Sequence, residues 1–201
     1  MDIYFITDNR SKNELYGLLQ ALLDQGLQMV QLRNKGKSIS EIKETIAHIL
    51  PLFESYKAQL IINDHLSIAH HFGIGVHLGL SDGDPIHARD VLGPEAIIGI
   101  TVHDDLKRIH TYKDIATYVG SGPVFPTSTK LDTKSVIGVP RLREVIMNSP
   151  LPVVAIGGIN KHNAKQLISP SPAYIAVCSA VCAAENPIEE FISLQTCINT
   201  P

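Results

Sequence analysis

The residues best suited to chemistry in this chain form one short segment, Gly122 to Lys130. Two prolines restrict its backbone, two threonines and a serine offer hydroxyl groups, and Lys130 ends it with a positive charge. A hydrophobic core has no use for three hydroxyl groups and an ammonium group so close together. The segment follows the apolar run 116–119, which reads as a strand. We therefore predict a functional loop at the end of a buried strand, rather than an ordinary connection.

Polar residues also follow most other apolar runs of the chain. Each has an ordinary explanation on its own, such as a helix cap, a turn or a solvated side chain. Their recurrence at the ends of the runs favours a shared site instead. The residues concerned are Arg33, Lys35, Asn63, Asp64, Asp82, Thr101, Thr127, Thr129, Lys130, Gly157, Gly158 and Ser179.

The charges in this set suggest a metal-assisted phosphate site. Arg33, Lys35 and Lys130 bring three positive charges, whereas Asp64 and Asp82 bring two carboxylates. Carboxylates would repel a phosphate unless a cation lay between them, so we predict Mg²⁺ held by one or two of the aspartates and by phosphate oxygens. Such a site indicates a diphosphate ligand.

The elements that must position these residues are eight apolar, β-branched runs. All-apolar strands flanked by helices are typical of parallel strands buried on both faces. The predicted strands are 3–7, 29–32, 59–62, 74–78, 96–100, 116–119, 152–156 and 174–177. Eight helical segments alternate with them; those with clear bounds are 11–24, 40–56, 66–72, 85–92, 104–110, 140–147 and 186–195. Pro51 falls inside the second and is expected to bend or end it.

This alternation predicts an α/β fold, a single (β/α)8 TIM barrel spanning 1–201, with an open doubly wound sheet as the alternative. In a barrel, the polar residues after the strands would surround one cavity. The Gly157-Gly158 turn and Ser179-Ala180 lie where barrels bind a monophosphate through backbone N–H groups. Two anion sites, one with a metal, suggest a reaction that joins a diphosphate substrate to a phosphate-bearing partner.

Composition is consistent with a compact enzyme acting on small molecules. The 201 residues are 44% hydrophobic with a net charge of −3, which argues against disorder and against a nucleic-acid surface. No run approaches the ~20 apolar residues that span a bilayer, so no membrane association is expected. Three cysteines, an odd number, and the lack of a leading apolar signal predict a reduced, cytoplasmic protein.

Six motifs resemble the thiamine phosphate synthase family. They are 30–35, 61–64, 75–79 with Asp82, 99–103, 122–130 and 155–159, and they follow one another in the family's order. The resemblance implies coupling of 4-amino-5-hydroxymethyl-2-methylpyrimidine diphosphate with 4-methyl-5-(2-phosphoethyl)thiazole, with release of diphosphate and formation of thiamine phosphate. It also allows a homodimer.

By this resemblance, the site residues fall into four groups. Asp64 and Asp82 would hold Mg²⁺, and Gln31 would contact the pyrimidine. The diphosphate would bind Arg33, Lys35, Asn63, Thr101 and Lys130, of which Lys130, Arg33 and Lys35 would be catalytic. The thiazole phosphate would bind Thr127, Thr129 and the turn residues Gly158, Ser179 and Ala180.

Some features depart from the family pattern. Leu80 stands where glutamine is usual, Thr101 replaces a serine but keeps the hydroxyl, and the chain starts almost at the first strand. Two other functions therefore stay open, a thiazole tautomerase and a non-catalytic phosphometabolite-binding barrel. The tautomerases depend on a histidine where this chain has Pro123. Among the histidines, His77 is expected to fill the barrel or bond a neighbour, and only His103 to lie near the mouth.

Overall fold

A computed structural model of the protein describes residues 1–127 and 135–199. Eight parallel strands pair in chain order, and the last pairs with the first, so the sheet closes into a barrel. The predicted TIM barrel is confirmed and the open sheet was wrong. The strands are β1 (Asp2–Ile6), β2 (Met29–Leu32), β3 (Gln59–Asn63), β4 (Gly75–Leu78), β5 (Ile98–His103), β6 (Tyr118–Ser121), β7 (Val153–Ile156) and β8 (Tyr174–Val177).

Helices cover the outside of the barrel. They are α1 (Lys12–Asp24), α2 (Ile39–Tyr56), α3 (Leu66–Phe72), α4 (Pro85–Leu92), α5 (Leu106–Thr111), α6 (Gly138–Asn148), α7 (Ser179–Cys182) and α8 (Pro187–Asn199). No helix in the described ranges is long and apolar enough to cross a membrane.

Two details differ from the expected helices. Only a 3₁₀ helix, Ala164–Leu167, lies between β7 and β8, because Pro170 and Pro172 follow at once and prevent a longer regular helix. Conversely, α2 does not end at Pro51. Leu52 and Phe53, just beyond the proline, are buried against the core, and this packing holds the last turn in place.

The start of α2 follows directly from its sequence. The hydroxyl of Ser38 accepts a hydrogen bond from the backbone N–H of Glu41, and the Glu41 carboxylate accepts one from the backbone N–H of Ser38. This reciprocal arrangement satisfies two N–H groups that have no partner inside the helix, and such caps contribute about 1 kcal/mol. It fixes where the loop after β2 ends and the helix begins.

The core has two layers because side chains alternate along each strand. In β1, for example, Phe5 faces the layer between strands and helices, whereas Tyr4 and Ile6 face the barrel interior. The interior cluster consists of Tyr4, Ile6, Met29, Ile61, Tyr118, Val154 and Ala176. It is small, and it leaves room above it for polar groups at the carboxyl ends of the strands.

The loop that follows β6 is held against the loop that follows β7. The backbone N–H of Val124 donates to the carbonyl of Ile156, and that of Phe125 donates to the carbonyl of Gly157. Gly157 has φ of +100°, and a Cβ there would lie 2.5 Å from the Cβ of Pro123. Only glycine permits this approach, so the two loops form one wall of the barrel mouth.

Candidate active site

Two adjoining cavities open at the carboxyl ends of the strands. An inner cavity of about 100 Å³ lies within the barrel, and an outer one of about 370 Å³ lies at its mouth. They share wall residues from the loops after β2 and β4 and from β5, among them Arg33, Lys35, Asp82 and Thr101. A separate groove of about 480 Å³ opens at the amino ends of β3 to β5, and the predicted site residues do not line it.

The cationic part of the site is anchored by the neighbouring β1 loop. The backbone N–H of Arg33 donates to the hydroxyl of Thr7 at 3.0 Å, and the carbonyl of Lys35 accepts from the Asn9 amide at 2.8 Å. Thr7 is only 1% exposed. Sequence reasoning did not assign Thr7 a role, although a polar residue at the end of an apolar strand was the available signal.

The two predicted metal ligands lie side by side. Asp64 has a left-handed backbone (φ +68°), and its N–H donates to the carbonyl of His77. Asp82 accepts from the backbone N–H of Gly79 at 2.9 Å, and a Cβ on Gly79 would collide with that carboxylate. The carboxyl groups of Asp64 and Asp82 share a hydrogen bond.

This pairing changes the acidity of the site. Burial, the hydrogen bond to Asp82 and the charge of Asp82 raise the pKa of Asp64 to about 6, against an ordinary value of 3.8. The charges of Lys35 and His65 act in the opposite direction. Asp64 therefore keeps its proton to a higher pH than an ordinary aspartate does.

The donor set fits Mg²⁺ completed by a ligand. In the described part of the chain, no cluster of three or more histidine, cysteine, aspartate or glutamate side chains could hold a metal ion by itself. Mg²⁺ is commonly bound by one or two carboxylates together with substrate phosphates and water. The contact between Asp64 and Asp82 beside Lys35 supplies such a pair of hard oxygen ligands.

Behind the mouth, five side chains form a continuous hydrogen-bonded chain. The Gln31 amide donates to the hydroxyl of Tyr4 at 2.9 Å, and this hydroxyl is 2.8 Å from that of Tyr118. The Tyr118 hydroxyl is 3.0 Å from Nδ1 of His77, and Nε2 of His77 is 3.0 Å from the hydroxyl of Thr101. His77 thus faces the barrel and bonds its neighbours, as expected.

The part that Tyr4 and Tyr118 play in this hydrogen-bonded chain was not predicted from the sequence. Tyr4 and Tyr118 lie in strands β1 and β6, which are not neighbours in the barrel. Their meeting requires the closed barrel, so no local pattern could reveal it. Gly99 was the indirect signal, since a Cβ there would lie 2.1 Å from the ring of Tyr118.

The predicted monophosphate turns lie on the opposite wall of the outer cavity. Gly158, Ser179 and Thr127 all line it. The carbonyl of Gly158 accepts from the Asn163 amide at 2.8 Å, which fixes the turn after β7. Ala180, in the first turn of α7, packs against the core and does not line the cavity.

Other predicted residues are placed as follows. Gln31 and Asn63 line the inner cavity, and Gln31 is only 3% exposed. Thr129 and Lys130 lie outside the described residues. Leu80 lines the outer cavity and is 44% exposed, which leaves an apolar patch beside Asp82.

His103 lies on the outer cavity through an irregularity in β5. The pairing of β5 with β6 shifts register between Thr101 and His103, and His103 has φ of +59°. Its Nδ1 is 2.7 Å from the carbonyl of Gly122, so it holds the start of the β6 loop. Backbone strain of this kind is common at functional sites. The expected position of His103 near the mouth is confirmed.

Comparisons with known proteins agree with one another. Residues 3–181 match the family model described as thiamine monophosphate synthase. A thiamine-phosphate synthase of Caldicellulosiruptor bescii is 35% identical, over 96% of this chain and 89% of the relative. One of Pyrococcus abyssi is 39% identical, over 92% and 89%. The solved thiamine phosphate pyrophosphorylase of Pyrococcus furiosus superposes with a TM-score of 0.84 at 33% identity, covering 98% of this chain and 95% of that one.

Proposed function

The chain belongs to the thiamine monophosphate synthase family, and on that premise we propose how its barrel mouth performs the synthesis of thiamine phosphate. The enzyme couples hydroxymethylpyrimidine diphosphate with thiazole phosphate and releases diphosphate. Both substrates are anionic at one end, and the mouth offers two walls suited to anions. The convergence of Arg33, Lys35, Asp82 and Thr101 on one cavity is the observation that carries the assignment.

The diphosphate binds the cationic wall. Arg33 and Lys35 supply positive charge, and Thr101 and Asn63 supply neutral polar groups along the same surface. Arginine also gives directional hydrogen bonds to phosphate oxygens, whereas lysine acts as a compact charge. The bond from Thr7 to the backbone of Arg33 keeps this loop in place before substrate arrives.

Asp64 and Asp82 hold Mg²⁺ on the same wall, where the ion would neutralise charge on the phosphate oxygens. The chain fixes these two ligands: the backbone N–H of Gly79 holds the Asp82 carboxylate, and Asp64 has a left-handed backbone. A bound cation would favour the ionised form of Asp64, whose pKa is raised in its absence.

The reaction then needs a good leaving group more than a protein nucleophile. The carbon–oxygen bond of the pyrimidine substrate breaks, and its electron pair departs with the diphosphate, which leaves a pyrimidine cation. The thiazole nitrogen attacks that cation with its lone pair and forms the new carbon–nitrogen bond. Arg33, Lys35 and Lys130 assist by neutralising the charge that builds on the departing group.

The inner cavity receives the pyrimidine, and the opposite wall receives the thiazole phosphate. Gln31 lies at the bottom of the inner cavity with its amide held by Tyr4. Thr127 and Thr129, together with Gly158 and Ser179, take the phosphate of the second substrate. This arrangement places the thiazole ring between its own phosphate and the inner cavity, where the cation forms.

Two neighbouring lysines allow a controlled test. Lys35 lines both cavities, whereas Lys37 forms an ion pair with Glu41 at the start of α2. We expect Lys35→Ala to lower the rate of thiamine phosphate formation by about 100-fold, because one cationic donor to a developing anion is lost. Lys37→Ala should stay within about 2-fold of wild type. Product formation would be followed by chromatography with and without Mg²⁺; equal rates in the two variants, or full activity in chelator, would contradict the proposal.

A further inference from the structure

The hydrogen-bonded chain inside the barrel joins five different strands and ends at the substrate cavity. It runs from Gln31 through Tyr4, Tyr118 and His77 to Thr101, with successive separations of 2.9, 2.8, 3.0 and 3.0 Å. Gln31, Tyr4 and Tyr118 are almost completely buried. Hydrogen bonds of this kind in a buried site are strong and depend on one another.

Each phenol in the chain has one hydrogen to give. Burial raises the pKa of both Tyr4 and Tyr118 far above that of an ordinary tyrosine, so neither ionises. The Gln31 amide presents a donor to the Tyr4 hydroxyl, so within this network only the Tyr118 oxygen can accept the hydrogen of Tyr4. The hydrogen of Tyr118 is then donated to His77. In each of these hydrogen bonds the donor therefore lies on the side nearer to Gln31.

This direction determines which nitrogen of His77 carries a hydrogen. Nδ1 accepts from Tyr118, so the neutral ring must hold its hydrogen on Nε2. Nε2 donates that hydrogen to the hydroxyl oxygen of Thr101. The hydrogen of Thr101 itself is not used within the chain, and Thr101 lines both cavities beside Arg33 and Lys35.

We propose that Tyr118 and His77 are positioning residues that commit the hydroxyl of Thr101 to act as a donor to an anionic oxygen in the barrel mouth. With the opposite direction, Thr101 would give its hydrogen to His77 and present only lone pairs to the anion, which would repel it. The identity of the anion as the substrate's diphosphate rests on the proposed function. The donor-to-acceptor direction of the hydrogen bonds does not rest on the proposed function.

The space for this chain is built into the strands. A Cβ on Gly99 would lie 2.1 Å from the ring of Tyr118 and 2.6 Å from Nδ1 of His77, so any other residue would displace both rings. The two rings also stack, with centroids 5.6 Å apart and planes inclined by 26°. The ring of His77 is thus held so that its two nitrogens face two different hydroxyl groups.

The tautomer of His77 tests the direction of the chain without reference to activity. Nuclear magnetic resonance correlations between the ring nitrogens and carbon-bound hydrogens distinguish the two neutral tautomers, and the signals of His77 would be assigned by their loss in His77→Gln. We expect the hydrogen on Nε2 in the wild-type protein and a mixture of tautomers in Tyr118→Phe. A wild-type ring with its hydrogen on Nδ1 would overturn the inference.

Titration calorimetry with inorganic diphosphate and Mg²⁺ tests the consequence for binding. Thr101→Val should weaken binding by about 10-fold, as for one lost hydrogen bond to a charged group, and Thr101→Ser should restore it. Tyr118→Phe should also weaken binding, and the double variant Tyr118→Phe/Thr101→Val should bind no worse than Thr101→Val, since both changes remove one effect. Additive losses would contradict the coupling.

A third phenol of the barrel interior supplies the matched control. Tyr174 packs against the same interior cluster but is not part of the chain. Tyr174→Phe should leave diphosphate affinity within about 2-fold of wild type, because the hydroxyl that it removes lies outside the hydrogen-bonded chain that ends at Thr101. Equal losses in Tyr174→Phe and Tyr118→Phe would overturn the positioning role. Failure of the wild-type protein to bind diphosphate would overturn the proposed function and the identity of the anion, whereas the tautomer result would still decide the direction.

Discussion

At the scale of single residues, the site is defined by charges that oppose one another. Asp64 and Asp82 are in contact next to Lys35, in a mouth that must also attract phosphates. Two nearby carboxylates are unfavourable when both are ionised, so Asp64 keeps its proton to a higher pH in the folded protein than in the unfolded chain. That difference can be measured.

Stability should therefore depend on pH through Asp64. Its pKa is raised from 3.8 to about 6 on folding, so the folded state binds more protons than the unfolded state between these values. The free energy of unfolding should fall as pH rises through this window. Asp82→Asn removes the negative charge next to Asp64, so the free energy of unfolding should fall less steeply with pH. The burial of Asp64, which also raises its pKa, remains in this variant. Urea unfolding in metal-free buffer, from about pH 4 to about pH 7, measures both slopes.

The effect of Mg²⁺ on stability gives a second test of whether Asp64 and Asp82 act together. A cation bound to the folded state alone stabilises it by mass action, so Mg²⁺ at neutral pH should stabilise the wild-type protein more than Asp82→Asn. Parallel pH profiles of the two proteins, together with an equal response to Mg²⁺, would show that Asp64 and Asp82 do not act as a pair.

At the scale of elements, one wall of the site depends on the backbone of two loops. Gly157 has φ of +100°, and a Cβ there would collide with Pro123. Gly157→Ala should destabilise the fold by about 2 kcal/mol and impair coupling, because the β6 and β7 loops must separate. Gly17, within α1, is the control, since a Cβ there meets nothing within 4 Å. Gly17→Ala should stabilise the protein by about 1 kcal/mol in urea unfolding; a similar response in both variants would contradict this account.

The elements also show how far the sequence could lead. Residues such as Arg33, Asp64 and Asp82 could be assigned to one cavity because each follows an apolar run, and parallel strands end on one side of a barrel. The contact of Tyr4 with Tyr118 could not, because it depends on barrel closure. The left-handed backbones of Asp64 and His103 were equally hidden, since they arise from tertiary contacts that override local preference.

At the scale of the whole molecule, the same barrel could in principle serve the tautomerase reaction that the sequence left open. Moving a proton at a thiazole ring requires a group that takes up and returns it. Pro123 lies on the wall of the outer cavity, at the position where the tautomerases use histidine, and it has no titratable atom and no N–H.

We therefore expect coupling without isomerisation. The purified protein should form thiamine phosphate from the two phosphorylated precursors, and it should not measurably accelerate isomerisation of the thiazole carboxylate phosphate. Nuclear magnetic resonance of the thiazole ring protons follows both reactions in one sample. Rapid isomerisation with no coupling would reverse this assignment.

The pairing of the first and last strands has a further consequence, for the order in which the chain is made. Asp2 and Ile3 on β1 pair with Tyr174 and Ile175 on β8, so contacts that complete the sheet join opposite ends of the sequence. Until β8 leaves the ribosome, β1 and β7 each keep an unpaired, largely apolar edge. Such edges are where strands of other molecules add. The nascent chain thus carries both edges until the eighth strand is made, and that strand removes both of them in a single step.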